Sequence, residues 1–137
     1  MRSAYTNATG AYDIGGLPAA TYRLRFSPDS SAYAREFYND KATLAAADDV
    51  VVGAGATVSG RNAQLANAGH ITGTITGPGG TPREDVEVAA YQYDATDGWS
   101  PVRWAYTNAA GAYDLDGLAA GTYRFGFFDY GSPRLAQ

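Results

Sequence analysis

The chain has 137 residues, 45% of them hydrophobic and 18% charged, with a formal net charge of −4, which suits one ordinary globular domain or two small ones. Its nine Arg and one Lys are scattered, which argues against nucleic acid and anionic lipid as partners. With no apolar run near the roughly 20 residues of a membrane span, no membrane insertion is expected, and zero Cys excludes disulfides and thiolate chemistry.

Seventeen Gly and eleven Tyr favour strands joined by tight turns. The opening "MRSAYTNATG" lacks the charged and apolar regions of a signal peptide. "TNATGAYD" then predicts a turn closed by Gly10, followed by a strand through Tyr12 to a Gly-Leu turn at Leu17. "TYRLRF" predicts the returning strand of a hairpin, with Tyr22, Leu24 and Phe26 inward and Arg23 outward. "NDKATLAAADD" offers Asn39 or Asp40 as N-cap to an Ala-rich body, predicting one short helix near 39–48. "VVVG" and "ATVSGRNAQL" read as the next strands. "HITGTIT" sets Ile71, Gly73 and Ile75 against Thr72, Thr74 and Thr76, and "GPGG" ends it with a turn. "VEVAAYQYD" and "WSPVRWAYT" form a hairpin about "DATDG", with Trp104 expected in the core beside Val102 and Tyr106.

The last part repeats the first. "AYTNATGAYDIGGLPAATYRLRF" from Ala4 returns as "AYTNAAGAYDLDGLAAGTYRFGF" from Ala105, so Gly10, Tyr12, Leu17 and Tyr22 recur as Gly111, Tyr113, Leu118 and Tyr123, 101 residues on. That spacing is the length of one β-sandwich unit and far exceeds a solenoid repeat. The copies are cut at different places. Residues 1–67 read as the C-terminal part of one repeat and 69–137 as the N-terminal part of the next.

Taken together, "GHITGTITGPGGTPREDVEVAAYQYD", the doubled Tyr-Gly segment and "EFYNDKATLAAADDVVVGAGATVSGRNAQL" resemble the bacterial carboxypeptidase regulatory-like repeat. The resemblance covers nearly the whole chain as two partial copies. It implies an all-β, antiparallel or mixed Greek-key β-sandwich of prealbumin-like type, also classed with starch-binding-like folds. It also implies an extracellular or cell-surface bacterial module that serves as spacer, adhesion unit or accessory domain of a secreted enzyme. In the related collagen-adhesin B-type modules a first-strand Lys is cross-linked to a last-strand Asn. Here the only lysine is Lys41, outside the first strand, so no such bond is expected.

Catalytic chemistry finds little to work with. His70 is the only His, which leaves no ligand set for a transition metal and no partner for nucleophilic catalysis. Glu36, Glu84, Glu87 and dispersed Asp residues could pair as glycosidase carboxylates only across a cleft, and surface solubility is the plainer role. The Asn7 and Asn108 turns offer too few oxygens for calcium. No cofactor, metal or enzymatic activity is expected. Trp99, Tyr91 and Tyr93 share a hairpin and are the candidate face for a polysaccharide or another partner.

Removing one strand from a sandwich exposes about four inward side chains at about 1.5–3 kcal/mol each, which rivals a whole domain's stability of roughly 5–15 kcal/mol. A circular permutant is expected to fail, because "ANAGH" is too short to return along a strand of about 20 Å. The expectation is therefore completion by strands from another chain, giving a homo-oligomer, ring or filament, with a structural role outside the cell. The alternative is a carbohydrate-binding accessory module.

Overall fold

The computed structural model describes residues 1–131, so residues 132–137, the end of the second copy, lie outside the described residues. The chain is all-β among the described residues, and every strand ladder is antiparallel. The alternating segments that the sequence marks most strongly build its best-formed part. Strand β5 (Gly69–Thr74) pairs with β8 (Ala112–Leu118), while β6 (Glu87–Asp94) lies between β7 (Gly98–Tyr106) and β9 (Arg124–Phe128). These two sheets pack face to face as a small β-sandwich. Leu115 and Leu118 meet Val88 and Ala90, with Ile71, Ile75, Ala105, Tyr113 and Tyr123 packed around them.

In the first half the strands are shorter. β1 (Ala20–Tyr22) pairs with β4 (Val50–Val52), and β2 (Arg25–Phe26) with β3 (Glu36–Phe37). No described strand ladder joins residues 1–67 to residues 69–131. Contact between the halves comes instead through the segment from Arg25 to Ala42, set against Arg103, Leu118 and Tyr123.

Several expectations are corrected. The helix near 39–48 does not form. Asn39 and Asp40 both adopt left-handed backbone, at φ of 65° and 57°, whereas an N-cap needs extended geometry. Phe37 and Lys41 exchange backbone hydrogen bonds of 2.7 and 3.1 Å across the resulting turn, and Ala47 N–H reaches only back to Leu44. The local turn chemistry of Asn and Asp overrides the helix propensity of the Ala run.

The expected hairpin between the "GAYD" strand and "TYRFGF" is a crossing between layers instead. β8 pairs with β5 and β9 with β6, so residues 119–123 carry the chain from one sheet to the other. A tyrosine fixes the bend: Tyr123 Oη donates to the Ala119 carbonyl at 2.7 Å, and Tyr22 Oη does the same to Pro18 at 2.7 Å. In the first half, the segment 11–17 and the segment 57–65 carry no ladder, so the strands expected there are absent. Tyr12 still ties them, donating to the Arg61 carbonyl at 2.5 Å.

Trp104 is not in the core. It stands opposite Ala89 on the outer face and is 60% exposed. The register slips between Ala90 and Tyr91, which pair with Arg103 and Pro101 and leave Val102 as the extra residue. The bulge breaks the simple alternation, and Ala105, opposite Val88, takes the inward place.

Candidate functional site

Three features on this scaffold bear on function. The first is the pair of Asn-Gly turns. Asn7 Oδ1 accepts N–H bonds from Thr9 and Ala11, both at 3.0 Å, and Asn108 Oδ1 accepts from Ala110 and Ala112, also at 3.0 Å. Those oxygens are occupied in holding the turns, which Gly10 and Gly111 close at φ of 78° and 72°. Their surroundings differ. A Cβ at Gly10 would meet nothing, whereas one at Gly111 would press onto the Ile75 carbonyl oxygen at the end of "HITGTIT". The same contrast extends along the strands. Ala112–Leu118 is held by β5, with Ile71 opposite Leu115 and Thr72 opposite Asp114, while Ala11–Leu17 has no strand beside it.

Tyr113 and Tyr12 otherwise occupy matching positions. Tyr113 meets Phe127 edge-to-face at 6.4 Å, and Tyr12 meets Phe26 in the same manner at 5.9 Å. Burial pushes the Tyr12 hydroxyl up from its ordinary value, with Tyr38 adding to the shift and Arg61 opposing it. Leu17 is half-buried, whereas its counterpart Leu118 is fully buried. Tyr22, Leu24 and Phe26 are likewise half-buried. On the matching strand β9, Phe125 and Phe127 face the core side opposite Ala90 and Val88, yet remain 38% and 53% exposed. Nothing among the described residues covers that end of the sheet as residues 36–52 cover Tyr22 to Phe26.

The second feature is the outer face of the β7-β6-β9 sheet. It brings together all three aromatic residues singled out from sequence. Tyr93 and Trp99 are register partners in edge-to-face contact at 5.7 Å, and the Arg124 guanidinium lies 4.2 Å from the Trp99 ring centre. Tyr91 sits half-buried on the same face, next to Arg124 in register. Sequence reasoning missed the rest of the surface: Trp104, Tyr106 and Phe128 lie on it, and Tyr130 stacks on Phe128 at 6.2 Å. Ala89 keeps only 2% of its surface although it faces outward, so the surrounding rings close over it. The missed signal is the two-residue spacing Trp104–Tyr106, which becomes legible once the bulge is placed.

The third feature is the disposition of charge. Glu36, on β3, has its carboxyl raised first by burial and then by Asp40. Glu84 lies in the bend before β6, and Glu87 on β6 accepts a 2.8 Å bond from Tyr106. These three therefore stand on separate elements. His70 Nδ1 lies 3.0 Å from Asp114 on the exposed side of the β5–β8 pair. Arg23 is paired with Asp49, Arg83 with Asp129 and Arg103 with Asp116. Among the described residues no group of three or more His, Cys, Asp or Glu is placed to hold a metal ion. Comparison with protein-family models, with curated proteins and with solved structures finds no match to this chain.

Proposed function

We propose that this chain is a non-catalytic structural module of an extracellular bacterial repeat protein of the carboxypeptidase regulatory-like kind, which assembles by strand complementation. One observation carries the reading. Ala11–Leu17 nearly repeats the sequence of Ala112–Leu118, which β5 holds through five register pairs, but has no strand beside it. A first strand from another copy, exchanged from its own Ala112–Leu118, fits that place by the same register, with Ile14 standing where Leu115 stands. The uncovered Phe125 and Phe127 support the reading from the other side, because a second copy's residues 37–66 are the segment that would cover them. Unpaired strand edges and exposed inward aromatics both favour pairing with another chain.

Because the chain has no Cys, cross-linking provides a clean test. Thr72 lies opposite Asp114, whose counterpart is Asp13. Residues opposite one another in an antiparallel ladder have Cα atoms about 4.5–5.5 Å apart, within disulfide reach. Thr72→Cys and Asp13→Cys, made in separate chains, mixed and mildly oxidised, should yield a disulfide-linked heterodimer. Thr72→Cys with Asp114→Cys in one chain is the internal control. A mixture that stays unlinked and sediments as a compact monomer at micromolar concentration, while the control closes, rules out complementation.

The outer aromatic face favours a second reading, a carbohydrate-binding accessory module. Trp99, Tyr91 and Tyr93 share a surface with Trp104, and such rings stack on sugars. Polysaccharide pull-down with Trp99→Ala as control tests it: retention that depends on the indole supports this role, and equal retention of both proteins rejects it.

A further inference from the structure

A cleft of about 270 Å³ opens where the two halves meet, between the Arg25–Arg35 stretch of the first and strands β7 and β8 of the second. Three guanidiniums line it: Arg25, Arg35 and Arg103. Their surroundings are unequal. Arg103 is satisfied by the Asp116 carboxylate and by the Asp116 carbonyl at 2.9 Å. Arg61 and Arg124 elsewhere lie over the rings of Tyr38 and Trp99. Among the described residues, Arg25 and Arg35 have neither a carboxylate partner nor a ring. Like charges gathered on the rim of one open cleft repel one another, and an unpaired guanidinium there is a ready partner for a planar anion.

We infer that this cleft binds a monoanionic, hydroxyl-rich ligand, a sugar carboxylate of the hexuronate kind, through Arg35 and Arg25. The charge balance sets the anion. Asp29 also lines the cleft, so three guanidiniums stand against the carboxylates of Asp29 and Asp116 and leave one positive charge unmatched. That suits a carboxylate better than a phosphate monoester, which carries about −1.5 to −2 at neutral pH. Part of the remaining wall is polar and suits hydroxyl groups, with Ser27, Ser30 and Gln92 lining it, and Val102 and Leu118 give the ring an apolar floor. The volume sits just below the roughly 300–1,000 Å³ of drug-sized sites, which fits a single sugar ring. Crowding agrees with the geometry, since the Arg35 guanidinium is held below its ordinary value, first by burial and then by Arg25 and Arg103.

Calorimetric titration of the full chain with glucuronate, glucose, inorganic phosphate and a short oligouronide tests the inference. Glucuronate should bind saturably, with glucose silent and phosphate weaker. Arg35→Ala should weaken glucuronate at least about tenfold, as expected for a charged hydrogen-bond donor. Arg2→Ala, which removes the same charge outside the cleft, should leave binding unchanged. Circular dichroism checks that Arg35→Ala is folded, and Arg25→Gln serves as the second variant if it is not. Tighter binding of the oligouronide than of the monosaccharide identifies an acidic polysaccharide as the source, and equal binding identifies a free sugar acid. No saturable glucuronate binding at millimolar concentration, equal binding of glucose or phosphate, or equal loss in Arg2→Ala overturns the assignment.

Discussion

Replacing Gly10 or Gly111 by Ala applies one chemical change to two nearly identical turns with different surroundings. Both glycines have positive φ, 78° and 72°, so each variant carries a left-handed backbone cost of about 1–2 kcal/mol. At Gly10 the new methyl meets open space. At Gly111 it drives into the Ile75 carbonyl oxygen and comes within 3.2 Å of the Arg83 nitrogen and 3.4 Å of the Pro82 Cα. All three obstacles are backbone and cannot swing aside. Overpacking of this kind costs about 1–3 kcal/mol, and the 2.8 Å bond from Ile75 N–H to the Gly111 carbonyl adds about 1 kcal/mol if it breaks. Gly111→Ala should therefore lose roughly 3–6 kcal/mol with that bond broken, and Gly10→Ala about 1–2 kcal/mol. Urea unfolding followed by far-ultraviolet circular dichroism, at a concentration where sedimentation shows a monomer, measures the gap. A gap below about 0.5 kcal/mol, within the scatter of ordinary surface substitutions, would refute the reasoning. Complementation adds a second signature: the gap should narrow as concentration rises, because a strand arriving beside Gly10 would meet the same methyl.

Other outcomes follow from single contacts. Tyr123→Phe removes the bond to Ala119 at the layer crossing and should cost about 1 kcal/mol, read as a lower urea midpoint with an unchanged slope; Tyr22→Phe tests the matching bond to Pro18. The Asp116 carboxyl is held below the ordinary carboxylate range, first by its bond to Arg103 and then by Ser31. A depressed folded value gives stability that is present above the unfolded carboxylate range and lost as pH falls through the lowered one. Asp116→Asn should therefore flatten the acid limb of a stability profile below about pH 4, and an unchanged acid limb would deny the Arg103 pairing any thermodynamic weight. In the outer face, Trp99→Ala should leave the fold intact, because its ring is 36% exposed and its partners Tyr93 and Arg124 lie on the surface; a large loss of stability would place that ring in the core after all.

What the sequence made legible follows from the range of the forces involved. Strands β5, β6 and β7 were readable because alternation and Gly-bearing turns are local, and the motif residues Tyr12, Tyr22, Tyr113 and Tyr123 make matching contacts in both copies. Partner choice was not readable. Nothing near Ala112 tells whether its strand pairs with the one that follows or with Gly69–Thr74, since that depends on which layer each occupies. The helix expected near 39–48 does not form because the left-handed turn at Asn39 and Asp40 outweighs the propensity of the following alanines. Trp104 was misplaced because a one-residue slip at the bulge reverses every later side chain. The arginine cleft was invisible because residues 25, 35 and 103 meet only through the packing of the two halves.

Both tryptophans of the chain stand on β7 and point to the same side, away from Leu115 and Val88. Indole emission should therefore report on that surface: Trp104, well exposed, should emit at long wavelength, and Trp99, beneath the Arg124 guanidinium, should respond to whatever displaces it. A sugar settling on the aromatic face changes the spectrum, whereas a ligand entering the cleft on the opposite side leaves it unaltered. One fluorimeter trace thus tells which of the two surfaces a given compound has chosen.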